Sequence, residues 1–205
     1  MQDKFIELWQ RYCGEIDSET FDRVIYFFEL LITTNNEVNF FSRKITRDVL
    51  YIDHILDCAL GLKHFGKSKN ILDFGTGGGL PGMVLAICMP EKNFYLIDKS
   101  NKKIHYLNKI IKQCNAGNVY AGTELKKSEL KKIDCVTSRA VGSLEKISSK
   151  VLDLGVKPSK MIFYKARKEK IEEECREFKK PFHIETISLE NPENKERHLV
   201  ILNKK

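Results

Sequence analysis

Apolar residues recur along this chain with two different periods, and the change of period divides it. Phe5, Leu8, Trp9 and Tyr12 fall at i, i+3, i+4 and i+7. Phe21, Val24, Ile25, Phe28, Leu31 and Ile32 repeat that spacing, so two amphipathic helices are predicted. Ser18 is placed to cap the second helix, and Asn35-Asn36 to end it. Asn39-Phe40-Phe41-Ser42-Arg43-Lys44 reads as a loop. Thr46 then caps a third helix running to about Phe65, with Val49, Ile52, Ile55, Leu56, Ala59 and Leu60 facing inward.

From Asn70 onward short apolar runs replace the helical period. Ile71–Phe74, Asn93–Asp98, Val119–Ala121, Asp134–Thr137 and Met161–Tyr164 read as strands. Helical patterns at Pro81–Cys88, Asn101–Cys114 and Leu144–Leu154 alternate with them, which implies crossover connections and a parallel sheet. The tail differs. After a helix at Lys168–Phe178, strands His183–Leu189 and Arg197–Leu202 are joined by Glu190-Asn191-Pro192-Glu193-Asn194-Lys195-Glu196, which leaves no room for a crossover helix. Such a pair is antiparallel. The expected fold is therefore α/β, a Rossmann-like mixed sheet with an antiparallel C-terminal hairpin. Residues 67–205 form this unit, and residues 1–66 form a helical extension packed on it.

Composition narrows the class. No apolar run is long enough to span a bilayer, so no membrane association is expected. Six scattered cysteines without a C-x-x-C pair argue against a metal site and a disulfide framework, and place free thiols in a reducing cytoplasm. Thirty-five Lys and Arg against 28 Asp and Glu give a net charge of +7, which suits a polyanionic partner or a lysine-rich proteome equally. No dimer stripe is visible, and a monomer is expected.

The stretch Ile71-Leu-Asp73-Phe-Gly75-Thr-Gly77-Gly78-Gly79-Leu80-Pro81-Gly82 carries the chemistry. A glycine-rich turn between a buried strand and a helix points backbone amides at a bound group. Asp98 lies 19 residues after Gly79, at the end of the next strand, where a carboxylate accepts ribose hydroxyls. Both dinucleotides and S-adenosylmethionine carry an adenosine that uses this device. Three features favour S-adenosylmethionine. Asp73 suits a cationic, amino-bearing ligand and would repel a pyrophosphate, although it can instead satisfy loop amides. Only one half of a doubly wound nucleotide fold is present, and its antiparallel end is the shape of class I methyltransferases. No second glycine fingerprint or substrate domain for hydride chemistry is visible. The alternatives are a methyltransferase of another substrate and a non-catalytic dinucleotide- or RNA-binding module.

The sequence also resembles a known family. Asp73-Phe-Gly-Thr-Gly-Gly-Gly-Leu-Pro-Gly82 is similar to the signature of the RsmG (GidB) methyltransferases of 16S ribosomal RNA. Asn39-Phe-Phe-Ser, His54 with Asp57, Asp98 followed by Lys102-Lys103, Ser138-Arg139-Ala140, Lys165 and Arg197-His198-Leu199-Val200 match in the family's order across nearly the whole chain. The resemblance implies transfer of a methyl group from S-adenosylmethionine to guanine N7 in small-subunit rRNA, free or in the ribosomal subunit. The chain departs from the family's pattern at Asp98-Lys99-Ser100, where Asp-Ser is usual, and at Gly122-Thr123-Glu124, where Arg-Ala-Glu or a variant is usual.

The expected cofactor residues are Asp73, Gly75, Gly77, Gly79, Leu80, Asp98, Thr123, Glu124 and Arg139. Arg139 is also expected to position the reacting groups. Guanine N7 carries no proton, so no general base is expected. Arg43, Lys44, Arg47 and Lys165 are candidate RNA contacts, and His54 reads as packing beneath the glycine loop.

Overall fold

The computed structural model describes residues 2–139 and 141–205. Helices α1 (Gln2–Cys13) and α2 (Ser18–Thr34) form where the helical period predicts them. The cap of α2 is Asp17 rather than Ser18: its carboxylate accepts the Thr20 amide at 2.9 Å, and a negative charge at a helix N-terminus is favourable. The expected third helix is broken into α3 (Arg47–Leu50), a π-helical turn (Tyr51–Leu56), α4 (Asp57–Ala59) and a 3-10 turn (Leu62–His64). Thr46 caps α3 through the Val49 amide at 3.3 Å. A π-turn inside a helix commonly marks a functional site; this one carries Asp53 and His54 and leads directly into Asp57.

The α/β unit runs β1 (Asn70–Phe74), α5 (Gly82–Cys88), β2 (Asn93–Ile97), α6 (Asn101–Gln113), β3 (Val119–Gly122), α7 (Lys127–Leu130), β4 (Cys135–Arg139), α8 (Leu144–Asp153), β5 (Lys160–Lys165), α9 (Lys168–Glu177), β6 (Phe182–Ser188) and β7 (His198–Lys204). The single turn of α7 has no apolar stripe to announce it. Asp98 lies just past β2, whereas Arg139 and Lys165 are the last residues of their strands.

The strand order is β3-β2-β1-β4-β5-β7-β6. Strands β1 to β5 are parallel, and β7 inserts antiparallel between β5 and β6. Side chains alternate between the two faces of each strand. Ile71, Ile162 and Ile201 join one apolar cluster with Phe5, Trp9 and Phe28 of the N-terminal helices, and with Met83 and Leu107 of α5 and α6. Their neighbours Leu72, Met161, Phe163, Val200 and Leu202 face the other way, against Ile147 and Val151 of α8 and Ile171 of α9. The core is thus two apolar layers on either side of one sheet. All six cysteines are free, and burial pushes the Cys58 and Cys135 thiols up to about 12, so both stay protonated.

The chain reverses its direction of winding between β1 and β4. Ligands of open α/β sheets bind outside the carboxyl ends of the strands at such a switch point. The glycine loop leaves β1 there, and Arg139 ends β4 beside it.

Candidate cofactor and RNA site

Asp73 closes the glycine loop on itself. Its Oδ2 accepts the Thr76 hydroxyl at 2.7 Å and the Gly82 amide at 2.9 Å, tying β1 to the start of α5. A Cβ on Gly82 would stand 2.7 Å from that same oxygen, so the bond requires glycine. The Gly75 and Thr76 amides both donate to Ile97 O, at 2.8 and 3.0 Å, which folds the loop onto β2. Gly75 sits at φ +79°, a left-handed conformation that disfavours any side chain. Asp73 Oδ1 is buried and has no hydrogen-bond partner among the described residues. Burial pushes the Asp73 carboxyl up to about 6; hydrogen bonds from Thr76 and Gly82 and the Arg139 charge pull the other way, and Asp98 adds to the rise. Oδ2 thus satisfies the loop, and Oδ1 is left open. A buried, unpartnered carboxylate oxygen at the foot of the glycine loop fits a cationic, amino-bearing ligand.

Asp98 stands at the next strand end. Its Oδ2 accepts the Gly77 amide and its Oδ1 the Ser100 amide, both at 3.0 Å. Each oxygen keeps a lone pair for a hydroxyl donor. The extra residue of this chain, Lys99, is exposed between Asp98 and the α6 cap Ser100, so the departure Asp98-Lys99-Ser100 leaves the carboxylate in place. The Asp98 amide donates to Gly122 O at 3.3 Å, which brings exposed Thr123 and Glu124 to the same edge. Leu80 differs from expectation. It is buried in the apolar core and offers the site no open side-chain surface.

Arg139 is held by the N-terminal segment. One Nη1 donates to Asp53 O at 3.1 Å and Asp57 Oδ2 at 3.2 Å, and Nη2 lies 2.8 Å from His54 Nδ1. A guanidinium only donates, so His54 Nδ1 is the acceptor and its proton sits on Nε2. Burial, then the Arg139 charge, pushes His54 down to about 4. His54 was expected beneath the glycine loop; it lies instead beside Arg139, with the Phe41 ring 4.9 Å away. Asp57 Oδ1 also pairs with Arg197 Nε at 3.1 Å, and Asp53 pairs with Arg197 and Lys195. Asp57 with His54 was legible as a helical pair, and Asp53 shares their turn. The contribution of Arg197 and Lys195 was not legible, because it depends on how the hairpin folds back.

Lys165 was expected near phosphate, and its surroundings disagree. Its ammonium donates to both Glu174 oxygens, at 3.1 and 2.8 Å, and to Gly142 O. Glu174 is buried and also accepts the Leu144 amide at 2.8 Å. All three ammonium donors are used, two on Glu174 of α9 and one on Gly142 in the loop between β4 and α8. Lys165→Ala would therefore strand a buried carboxylate. Denaturant unfolding is expected to show a loss on the order of 3–5 kcal/mol, while the salt dependence of RNA binding stays at the wild-type slope. A reduced slope would return Lys165 to the phosphate contacts.

The loop 39–44 borders the site. A Cβ on Gly78 would stand 3.1 Å from Phe40, and Asn35 pins Phe41 by accepting its amide at 2.9 Å. Arg43 and Lys44 follow on this loop and are exposed. Arg47 is instead engaged, bonded to Glu29 and lying 5.1 Å over the Phe28 ring. A cavity of about 830 Å³ opens beyond Arg139, walled by His54, Asp57, Tyr164, Lys165 and Arg197. Val141 was not foreseen: it packs over Gly75, where a Cβ would stand 2.6 Å from its Cγ2. No group of His, Cys, Asp or Glu among the described residues is arranged to hold a metal ion.

A mixed seven-stranded sheet with this order is the class I S-adenosylmethionine-dependent methyltransferase fold. Solved structures share it. An O-methyltransferase from Bacillus cereus in complex with SAH superposes with a TM-score of 0.60, at 14% identity over 100% of both chains. The METTL16 MTase domain superposes with a TM-score of 0.58, at 15% identity over 100% of this chain and 91% of its own. The chain matches the family model described as GidB, rRNA small subunit methyltransferase G, over residues 21–200, and it belongs to that family. Ribosomal RNA small subunit methyltransferase G of Brachyspira hyodysenteriae is 36% identical over 192 residues, covering 92% of this chain and 93% of its own. Ribosomal RNA small subunit methyltransferase G 1 of Bdellovibrio bacteriovorus is 37% identical over 181 residues, covering 86% and 87%.

Proposed function

We propose that this protein transfers a methyl group from S-adenosylmethionine to N7 of a guanine in 16S rRNA, acting as a cytoplasmic monomer on the RNA or the small ribosomal subunit. The observation that carries this reading is the family match over residues 21–200. The buried, unpartnered Asp73 Oδ1 under the glycine loop supports the cofactor. We take residues 1–66 as an extension of the methyltransferase unit 67–205, because both contribute to one apolar cluster.

In this reading Asp73 Oδ1 takes the cofactor's ammonium, and Gly75, Gly77 and Gly79, having no side chains, let the cofactor approach the loop backbone closely. Asp98 accepts the ribose hydroxyls, and Thr123 and Glu124 border the adenine. When bound, S-adenosylmethionine supplies an electrophilic methyl group on a sulfonium. Guanine N7 presents a free lone pair, so the chain has no proton to remove and no general base to provide. Its residues work by alignment. Arg139 spends three of its five N–H donors on Asp53 O, Asp57 and His54. The remaining two serve an acceptor on the cofactor's carboxylate or on the target nucleotide. Arg43 and Lys44 contact phosphates at the rim. A guanine in folded RNA must leave its stack to enter, and the cavity beside Arg139 is where it goes.

The test is incubation with methyl-labelled cofactor and small subunits lacking the modification, with free nucleotides and protein as parallel acceptors. Label in rRNA alone is expected. Label in nucleotides or protein with none in rRNA would point to another substrate. Binding of NADH in preference to S-adenosylmethionine would point to a dinucleotide-binding module.

A further inference from the structure

We propose that His54 and Asp57 are positioning residues for methyl transfer, each fixing one terminal nitrogen of the Arg139 guanidinium so that its free donors meet the reacting groups. This inference rests on the proposed role of Arg139.

A guanidinium at a strand end has no intrinsic orientation, because its long side chain carries several rotatable bonds. Here two acceptors of different kinds fix its plane. Asp57 Oδ2 meets Nη1 and His54 Nδ1 meets Nη2, and the Asp53 carbonyl takes the second Nη1 hydrogen. The Arg139 and Asp57 side chains are only 14% and 9% exposed, so water does not compete for these bonds. Asp57 is fixed in turn by Arg197 Nε at 3.1 Å on its other oxygen. Arg197 and Lys195 both hold Asp53, the residue whose carbonyl completes the clamp. Among the described residues His54 has no such ion pair. Its place depends on the π-turn and on the Phe41 ring, and it accepts from Arg139 only while Nδ1 carries no proton. Residues 53–57 therefore hold the guanidinium directly, and residues 195–197 brace Asp53 and Asp57 from behind. A surface ion pair meant only to add stability needs no such bracing.

Both contacts are tested by steady-state transfer to small subunits. His54→Leu removes the acceptor and keeps the bulk. Its kcat is expected to fall about 10- to 100-fold, by more than any change in the cofactor Kd or in the KM for subunits. His54→Asn places an amide oxygen close to the position of Nδ1, and is expected to recover most of that kcat. Asp57→Asn keeps the shape and loses the charge, and is expected to lower kcat in the same way. Wild-type kcat in His54→Leu, with only a lower melting temperature, would show a purely structural role and overturn the inference. Equal loss in His54→Leu and His54→Asn would overturn it too. If the wild-type protein labels no RNA, the functional reading fails and this inference with it. If the wild-type protein is active and the variants match it, the inference alone fails.

Discussion

Arg139→Ala is expected to lower methyl transfer by about 10²- to 10³-fold, the usual effect of removing one positioned donor from an active site. Folding should survive. Asp57 loses one partner but keeps Arg197 Nε at 3.1 Å, so no buried carboxylate is left alone. Thermal unfolding checks this. Arg139→Lys is expected to fail nearly as badly. A lysine ammonium is a point charge and cannot meet Asp53 O, Asp57 and His54 while also presenting donors to a ligand. Cofactor binding, measured separately by calorimetry, divides the effect between binding and transfer. Unchanged turnover in Arg139→Ala would remove this residue from the site.

Asp73→Asn is expected to weaken S-adenosylmethionine binding by about 10- to 100-fold, the range for losing a hydrogen bond to a charged group. The amide cannot accept from Thr76 and Gly82 at one end and also present a negative oxygen at the other. The same residue predicts a pH dependence. The Asp73 carboxyl lies at about 6, raised first by burial. Above that pH it is ionised and attracts the cofactor's cation; as the pH falls through it, the carboxyl takes up a proton that binding must displace. Affinity is therefore expected to be full at pH 7.5 and to fall by up to about tenfold per pH unit below 6. Asp73→Asn should bind weakly with no step near that pH. The same step in the variant would assign the titration to another group.

Much of this was legible along the chain. The unbroken apolar runs at Ile71-Leu72 and Met161–Tyr164 mark strands buried on both faces, and those strands are where the runs put them. The glycine loop and Asp98 were readable because one short segment carries the chemistry. Elsewhere the site depends on contacts between distant segments. Lys165 looked free because Glu174 lies a helical segment away and faces inward only once α9 packs. His54 was misplaced because the π-turn, which no local pattern announces, turns it toward Arg139. Leu80 followed the family's motif into the site, whereas packing carried its side chain into the core. Asp17 took the cap from Ser18 because both can accept, and only the backbone entering α2 decides between them.

The most direct measurement is nucleoside analysis of 16S rRNA after incubating the purified protein with S-adenosylmethionine and small subunits that lack the modification. Digestion and mass spectrometry should give 7-methylguanosine that appears only when both protein and cofactor are present, and that is lost with Arg139→Ala. A methyl group on another base, on a ribose, or on no nucleoside at all would contradict the account.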